Sequence, residues 1–476
     1  MARSMHENAE WKYRGEGNCS LVVADPETHQ VFRLVKTYFT QAMETLYPLD
    51  SSEPCCDHIV MEMRKIVDYV TNVMQPLLSP KFVTPPVVAE ISEGFAEEAE
   101  KTNQDMRPAS RRKKSVDLVD VRSRSALVMP DFCFVSNRDS IPVEPEDSQP
   151  TISIEIKPKK AFIPRPVAID RTSIKHQVCK FCMHQRLKTK AGKWPETSHY
   201  CPLDLFSGNP HQMKHALLSL VKTPQNNLKI CKNGQEIYGA CVKQDLSEDL
   251  EDFFKGSQHK KHRFEYMLLD LVIKILLAPG GRGGNCSHTY SPRHIKPQRC
   301  QNSKFEHTNG DVALSYLPHG CVLERICSIQ KLDDLDIENI YPLYQRLQAH
   351  FKDHPTDRIH WGLDGPYTRD LWMMDSEVKA SVSVASLEFA VDKVKRFLIS
   401  KTVQDCSIIV ALQPVKQGVS EENGVILFND AYYRYSIELV DLDPKPFDKI
   451  EQYYGQDMDI VHAYQETIGK SRTKSV

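Results

Sequence analysis

Arg14-Gly15-Glu16-Gly17-Asn18, with the apolar runs Leu21-Val22-Val23-Ala24 and Val31-Phe32-Arg33-Leu34-Val35 behind it, decides how the chain begins. Glycines let backbone N–H groups come close to phosphate oxygens without side-chain interference. Both runs read as strands, the second with a central arginine, and the polar turn Pro26-Glu27-Thr28-His29 links them. Ile59, Met63, Ile66, Val70 and Val73 then recur at helical spacing. The expected order is glycine loop, strand, turn, strand, helix. The loop has no third glycine and the chain has no Walker A motif, so read alone it could be an ordinary turn before a strand. Arg33 strengthens the phosphate reading, because a cation in the strand after such a loop can hold the α- and β-phosphates of a nucleotide.

The chain has 476 residues, 41% hydrophobic and 26% charged, which is a globular rather than a disordered balance. Net charge is −2, so no overall basic field points to nucleic acid, and aromatics are not interleaved with the cations. A polyanion site must therefore be built locally. No N-terminal apolar run reads as a signal peptide. The longest apolar helix candidate, Tyr266 to Ala278, carries Asp270 and Lys274 and is too short to span a bilayer. The expectation is a monomeric protein of cytoplasm and nucleus, without a membrane partner, whose 14 cysteines are reduced thiols or metal ligands.

Residues 92–126 are polar and charged, contain Arg111-Arg112-Lys113-Lys114, and read as a surface loop. The strand Ala126 to Met129 meets Pro130, a hinge, which places a boundary near residue 132 between a small N-lobe, 1–132, and a larger C-lobe, 133–476. Residues 279–310 and, more briefly, 413–424 read as flexible insertions.

The chemistry gathers in four places. Ile152, Ile154 and Ile156 line one face of a strand, and Lys157 and Lys159 follow at the same two-residue period, on the other face. Two lysines aimed from one strand end repel unless an anion sits between them; a solvated edge is the alternative. Lys180, His184 and Lys188, four apart, form a cationic stripe on a helix. Asn226-Asn227 adds neutral donors, or simply a turn. Asp405 precedes a strand, Ser407 to Leu412, and Asp441 ends another, Tyr433 to Val440. Paired as an antiparallel hairpin, these strands put both carboxylates at one end, which suits Mg²⁺ and a reacting hydroxyl; strand-end acids facing water are the alternative. Lys445, Lys449 and Tyr453 follow, again four apart, on a helix entered through Pro444 and Pro446. Five phosphates carry roughly −7.5 to −10, and Lys157, Lys159, Lys180, Lys188, Lys445 and Lys449 with His184 are of the order needed to offset it.

The chain resembles the inositol-pentakisphosphate 2-kinases in their animal form. The matching segments run in order from Tyr13-Arg14-Gly15-Glu16-Gly17-Asn18 through Glu155-Ile156-Lys157-Pro158-Lys159, Met183-His184-Gln185, Pro202-Leu203-Asp204-Leu205-Phe206-Ser207-Gly208, Gln225-Asn226-Asn227-Leu228-Lys229 and Asp405-Cys406-Ser407-Ile408 to Asp441-Leu442-Asp443. The resemblance implies an α+β, two-lobed kinase-like fold with an inositide-binding region in the C-lobe. It implies transfer of the γ-phosphate of ATP to the 2-hydroxyl of inositol pentakisphosphate. Gly15, Glu16, Gly17, Asn18 and Arg33, helped by Lys229, would hold ATP phosphates. Lys157, Lys159, Lys180, His184, Lys188, Asn226, Asn227, Lys445, Lys449 and Tyr453 would grip the substrate. Asp405 would take the hydroxyl proton and touch metal, and Asp441 would be the principal Mg²⁺ ligand. Lys160-Ala161 stands where the family often has Cys-Gly. Lys449 stands where some relatives have arginine, keeping the charge but losing the planar fork. A binding scaffold without turnover is the alternative, but acids beside a polyanion gain such a scaffold nothing. A protein kinase lacks support, because the His-Arg-Asp and Asp-Phe-Gly motifs are missing.

Cys179 and Cys182 form a Cys-x-x-Cys unit, with His176 before it and Cys201 after it. Three thiols and one imidazole make a common structural zinc set; His199 is another candidate fourth ligand, and buried free thiols are the alternative. Cys286, His288, His294, Cys300 and His307 form a looser collection inside the 279–310 insertion.

Overall fold

The computed structural model describes residues 11–37, 55–107, 118–136, 149–165, 173–242, 245–254, 264–279, 298, 300–304, 316–373, 383–415 and 424–473. It is an α+β structure with two antiparallel sheets. The first contains β1 (Lys12–Glu16), β2 (Ser20–Asp25), β3 (Gln30–Val35), β4 (Val87–Glu90) and β5 (Ser125–Pro130), in the order β1-β2-β3-β5-β4. Both expected strands are present, and Asp25 fixes the turn between them by accepting from the Glu27 amide at 2.9 Å and the Thr28 hydroxyl at 2.7 Å. The glycine loop is shorter than expected. Arg14-Gly15-Glu16 belongs to β1, which bulges between Tyr13 and Gly15, and only the turn to β2 lies outside strand. Residues 92–126 are not all loop, because Phe95–Asn103 forms a helix that buries Phe95, Ala96, Ala99 and Asn103. Those burials follow a helical period, hidden in the sequence by the acids between them. Arg111 to Lys114 lie outside the described residues.

The second sheet contains β6 (Ile152–Ile156), β7 (Leu228–Lys232), β8 (Gln235–Tyr238), β9 (Ser407–Val415), β10 (Val425–Phe428) and β11 (Ala431–Val440). Its order is β10-β11-β9-β6-β7-β8. The strands carrying the two acids are antiparallel neighbours, with Val440 opposite Ser407. They are not a simple hairpin, since β10 comes between them in sequence and pairs with the far side of β11. β6 is central, so Ile152, Ile154 and Ile156 are fully buried.

Six helices matter below: α1 (Cys55–Tyr69), α2 (Phe95–Asn103), α3 (Lys180–Lys190), α4 (Phe264–Leu276), α5 (Leu387–Asp405) and α6 (Lys449–Thr473). The expected apolar helix is α4, buried along most of its length; among the described residues no helix is long and apolar enough to cross a membrane. Helix α6 starts at Lys449, so Lys445 precedes it rather than sharing its stripe. Within the stretch 279–310, residues 298 and 300–304 are anchored. Gln298 bonds both ways with the Ile163 backbone at 2.6 and 3.2 Å, and Asn302 accepts from the Tyr464 hydroxyl at 2.9 Å.

Candidate functional site

Four strand ends converge at one edge of the second sheet. Ile156 at the end of β6 lies opposite Leu228, which starts β7, and Ile408, near the start of β9; Val440 ends β11 alongside. Lys157, Lys159, Asn226, Asn227, Asp405 and Asp441 therefore flank one edge. Three residues there have positive φ without being glycine: Lys159 at 65°, Gln225 at 47° and Asp441 at 63°. Such conformations gather at functional sites, where surrounding structure enforces them.

Local pairing differs from the isolated-lysine picture. Lys157 donates to Asp441 at 2.9 Å, and Ser407 Oγ lies 3.2 Å from the same carboxylate. Burial pushes Asp441 up, but Lys157, Arg33 and the Ser407 hydrogen bond outweigh it and hold the carboxyl low. Lys159 follows Pro158 in a left-handed turn, so the alternation of the strand no longer sets its aim. Lys160 is buried and paired with Asp336 at 2.8 Å.

Asp405 is the last residue of α5, and Lys445 reaches it at 3.1 Å. Burial would raise its affinity for a proton, but Lys401, Lys445 and Lys159 together hold it well below the ordinary carboxylate range. Cations also crowd one another. Burial, Lys157, Lys188 and Lys401 bring Lys159 down to about 8. Lys188 is lowered by burial and Lys193. His184 falls to about 3 through burial, Lys188, Lys180 and Lys401, so it is neutral at pH 7 and does not add to the cationic stripe of α3. Lys180 is tied to buried Asp457 of α6 at 2.5 Å. That aspartate lies one helical turn beyond Tyr453, and its role was not read from the sequence. Lys449 is exposed and Tyr453 half-buried. Asn226 is exposed, but Asn227 is buried: its backbone carbonyl accepts from the Lys157 amide at 2.9 Å and its side-chain amide reaches Gln225 at 3.4 Å. Asn227 thus shapes the turn rather than presenting its donors to the basin.

The first sheet reaches the same place. Arg33 makes a two-pronged pair with Asp443 at 2.7 and 2.5 Å and donates to Ser20 Oγ at 3.0 Å. It is committed to a carboxylate here, not held free over the glycine turn. Lys229 bridges Glu155 at 3.0 Å and the Arg14 carbonyl at 3.0 Å, linking β7 to β1. Gly17 and Asn18 are exposed, and a Cβ added at Gly15 or Gly17 would meet nothing within 4 Å. Glu16 corrects the expectation for this loop. Its side chain is buried against Lys36 at 2.6 Å and Arg107 at 2.8 Å, so it faces inward and pins the turn, while Lys36 also holds the Gly17 carbonyl at 2.9 Å.

Four cysteines, Cys179, Cys182, Cys201 and Cys300, bring their sulfurs within 4.8 Å of one another. His176 is not among them, and its buried Nε2 finds no partner among the described residues. His199 is exposed and outside the group. The fourth thiol comes from the stretch expected to be a flexible insertion. Cys179 and Cys201 sulfurs are 3.9 Å apart. Four sulfurs at ~2.3 Å from a tetrahedral Zn²⁺ would lie roughly 3.8 Å apart, so this set fits such an ion.

The profile of the family described as inositol-pentakisphosphate 2-kinase matches residues 13–459. The chain is similar to the inositol-pentakisphosphate 2-kinase of Danio rerio, 34% identical across 97% of this chain and 94% of that one. It is also similar to that of Arabidopsis thaliana, 28% identical across 96% and 93%. The chain belongs to the inositol-pentakisphosphate 2-kinase family.

Proposed function

We propose that the protein transfers the γ-phosphate of ATP to the 2-hydroxyl of inositol 1,3,4,5,6-pentakisphosphate, giving inositol hexakisphosphate and ADP. The observation that carries this is the placing of Asp405, which ends α5 just before β9, beside Asp441, which follows β11, among several lysines. The hydroxyl oxygen forms a bond to the γ-phosphorus, the bond from that phosphorus to the β–γ bridging oxygen breaks, and the hydroxyl proton passes to Asp405. Positioning and charge neutralisation supply most of the rate in such a transfer. Asp405 is ionised at neutral pH and ready to accept. Substrate phosphates that neutralise Lys159 and Lys445 weaken the field that holds its proton affinity down, so its basicity rises when substrate is bound.

Residues 1–132 would serve ATP, with the Gly15–Asn18 turn and Arg33 at its phosphates and Lys229 beside them. Lys157, Lys159, Lys180, Lys188, Asn226, Lys445, Lys449 and Tyr453 would hold the substrate, with His184 as a neutral partner. Asp441 suits Mg²⁺, a hard cation that takes carboxylate oxygen and neutralises charge between nucleotide phosphates. Purified protein incubated with Mg-ATP and inositol 1,3,4,5,6-pentakisphosphate should yield the hexakisphosphate on separation of the products. Its absence would overturn the reading.

The four thiols would hold a structural Zn²⁺, fixing the start of α3, and with it Lys180, to the Cys201 and Cys300 segments. Cys300→Ser should release one equivalent of zinc, read by a colorimetric chelator, and lower the melting temperature by several degrees. Equal zinc content in the variant would remove Cys300 from the ligand set.

A further inference from the structure

Lys401 lies in the last turn of α5, four residues before Asp405, so the two side chains share a helix face. Its Nζ sits 4.9 Å from the centre of the Tyr453 ring. The ring holds the ammonium in place but brings no full negative charge. Asp405 and the cations Lys180, Lys445 and Lys160 act on it from its own helix, from α3, from the segment before α6 and from the chain after β6. Asp405 is the attractive member, yet its close ion pair is with Lys445 at 3.1 Å, and among the described residues no carboxylate comes within 4 Å of the Lys401 ammonium. Lys160 and Lys180 are matched to Asp336 and Asp457. Lys401 is thus a half-buried cation facing like charges, in the same condition as Lys159 and Lys188.

We propose that Lys401 is a further substrate-binding residue, whose ammonium takes one of the two phosphates flanking the hydroxyl that reacts. This rests on the function proposed above. Asp405 marks where that hydroxyl sits, and Lys401 stands one helical turn behind it. In the 1,3,4,5,6-pentakisphosphate both ring positions beside the 2-hydroxyl carry phosphate, so a dianion arrives where the cation has no close carboxylate partner. The lowering of Lys401 to about 8, by burial and then by Lys180, Lys445 and Lys160 against the pull of Asp405, agrees with a site that binds best when an anion joins it.

The test uses the full chain with Lys401→Met, which keeps the stem on Tyr453, Lys401→Gln as a second neutral variant, and Lys401→Arg. Both neutral variants should raise KM for the pentakisphosphate and Kd for inositol hexakisphosphate roughly ten- to a hundred-fold, with KM for ATP within about two-fold, and arginine should restore most of the loss. With the two tetrakisphosphates that lack either the 1- or the 3-phosphate, the penalty should vanish for one and persist for the other. An unchanged Kd for hexakisphosphate, with lower kcat and a displaced acidic limb of the pH–rate profile, would overturn the proposal and leave Lys401 as a positioning residue for Asp405. If the wild-type protein makes no hexakisphosphate, the function reading fails alone. The Kd comparison still decides Lys401: an equal affinity overturns it and a weakened one sustains it.

Discussion

Asp405→Asn is expected to lose about 10²- to 10⁴-fold in kcat, the usual range for removing a positioned proton acceptor. Affinity for inositol hexakisphosphate should stay level or tighten. On the proposed function, Asp405 is a negative charge among the lysines that would take phosphates, so its repulsion of the ligand disappears with the amide. The substitution also frees Lys445 from its 3.1 Å partner, which adds to ligand affinity. Single-turnover kinetics and calorimetry read the two effects separately. Near-normal turnover would remove Asp405 as the base, and a large loss of affinity would mean that the residue holds the basin together instead.

Asp441→Asn should lower kcat/KM for ATP by about 10²-fold or more and raise the Mg²⁺ concentration needed for half-maximal rate. Asparagine is the informative replacement. Asp441 has φ of 63°, which asparagine tolerates and alanine accepts only with strain. The amide can still accept from Ser407, so the strand end keeps its shape while the charge is lost. Titration of the rate with Mg²⁺ checks the point; an unaltered Mg²⁺ dependence would place the metal on other ligands, with Asp443 the neighbour to examine.

Much of this site was legible because local spacing carried it. The strand of Ile152, Ile154 and Ile156 delivers Lys157, helical four-spacing gathers Lys180 and Lys188, and antiparallel pairing puts Asp405 beside Asp441. What stayed hidden were partners distant along the chain. Arg33 and Asp443 are 410 residues apart, and Lys180 and Asp457 are 277 apart. No periodicity links such positions. Cys300 was grouped with Cys286, His288, His294 and His307 instead of with Cys179 for a related reason: its surroundings have a loop composition, and only tertiary packing brings it 121 residues back to Cys179. Glu16 misled because adjacency to two glycines says nothing of where its own side chain turns. Lys401 was missed at the sequence level, although its place four residues before Asp405 is plain there.

The ion pairs already made within the site bear on its response to ionic strength. Lys157, Lys180 and Lys445 each face an aspartate already, and Arg33 faces another. On the proposed function, an arriving polyphosphate would exchange partners at these positions instead of creating ion pairs there. Exchange leaves the number of screened charges almost unchanged. The steepness with which added salt weakens binding should therefore be set by Lys159, Lys188, Lys401 and the exposed Lys449, and be shallower than the number of lysines around the site suggests.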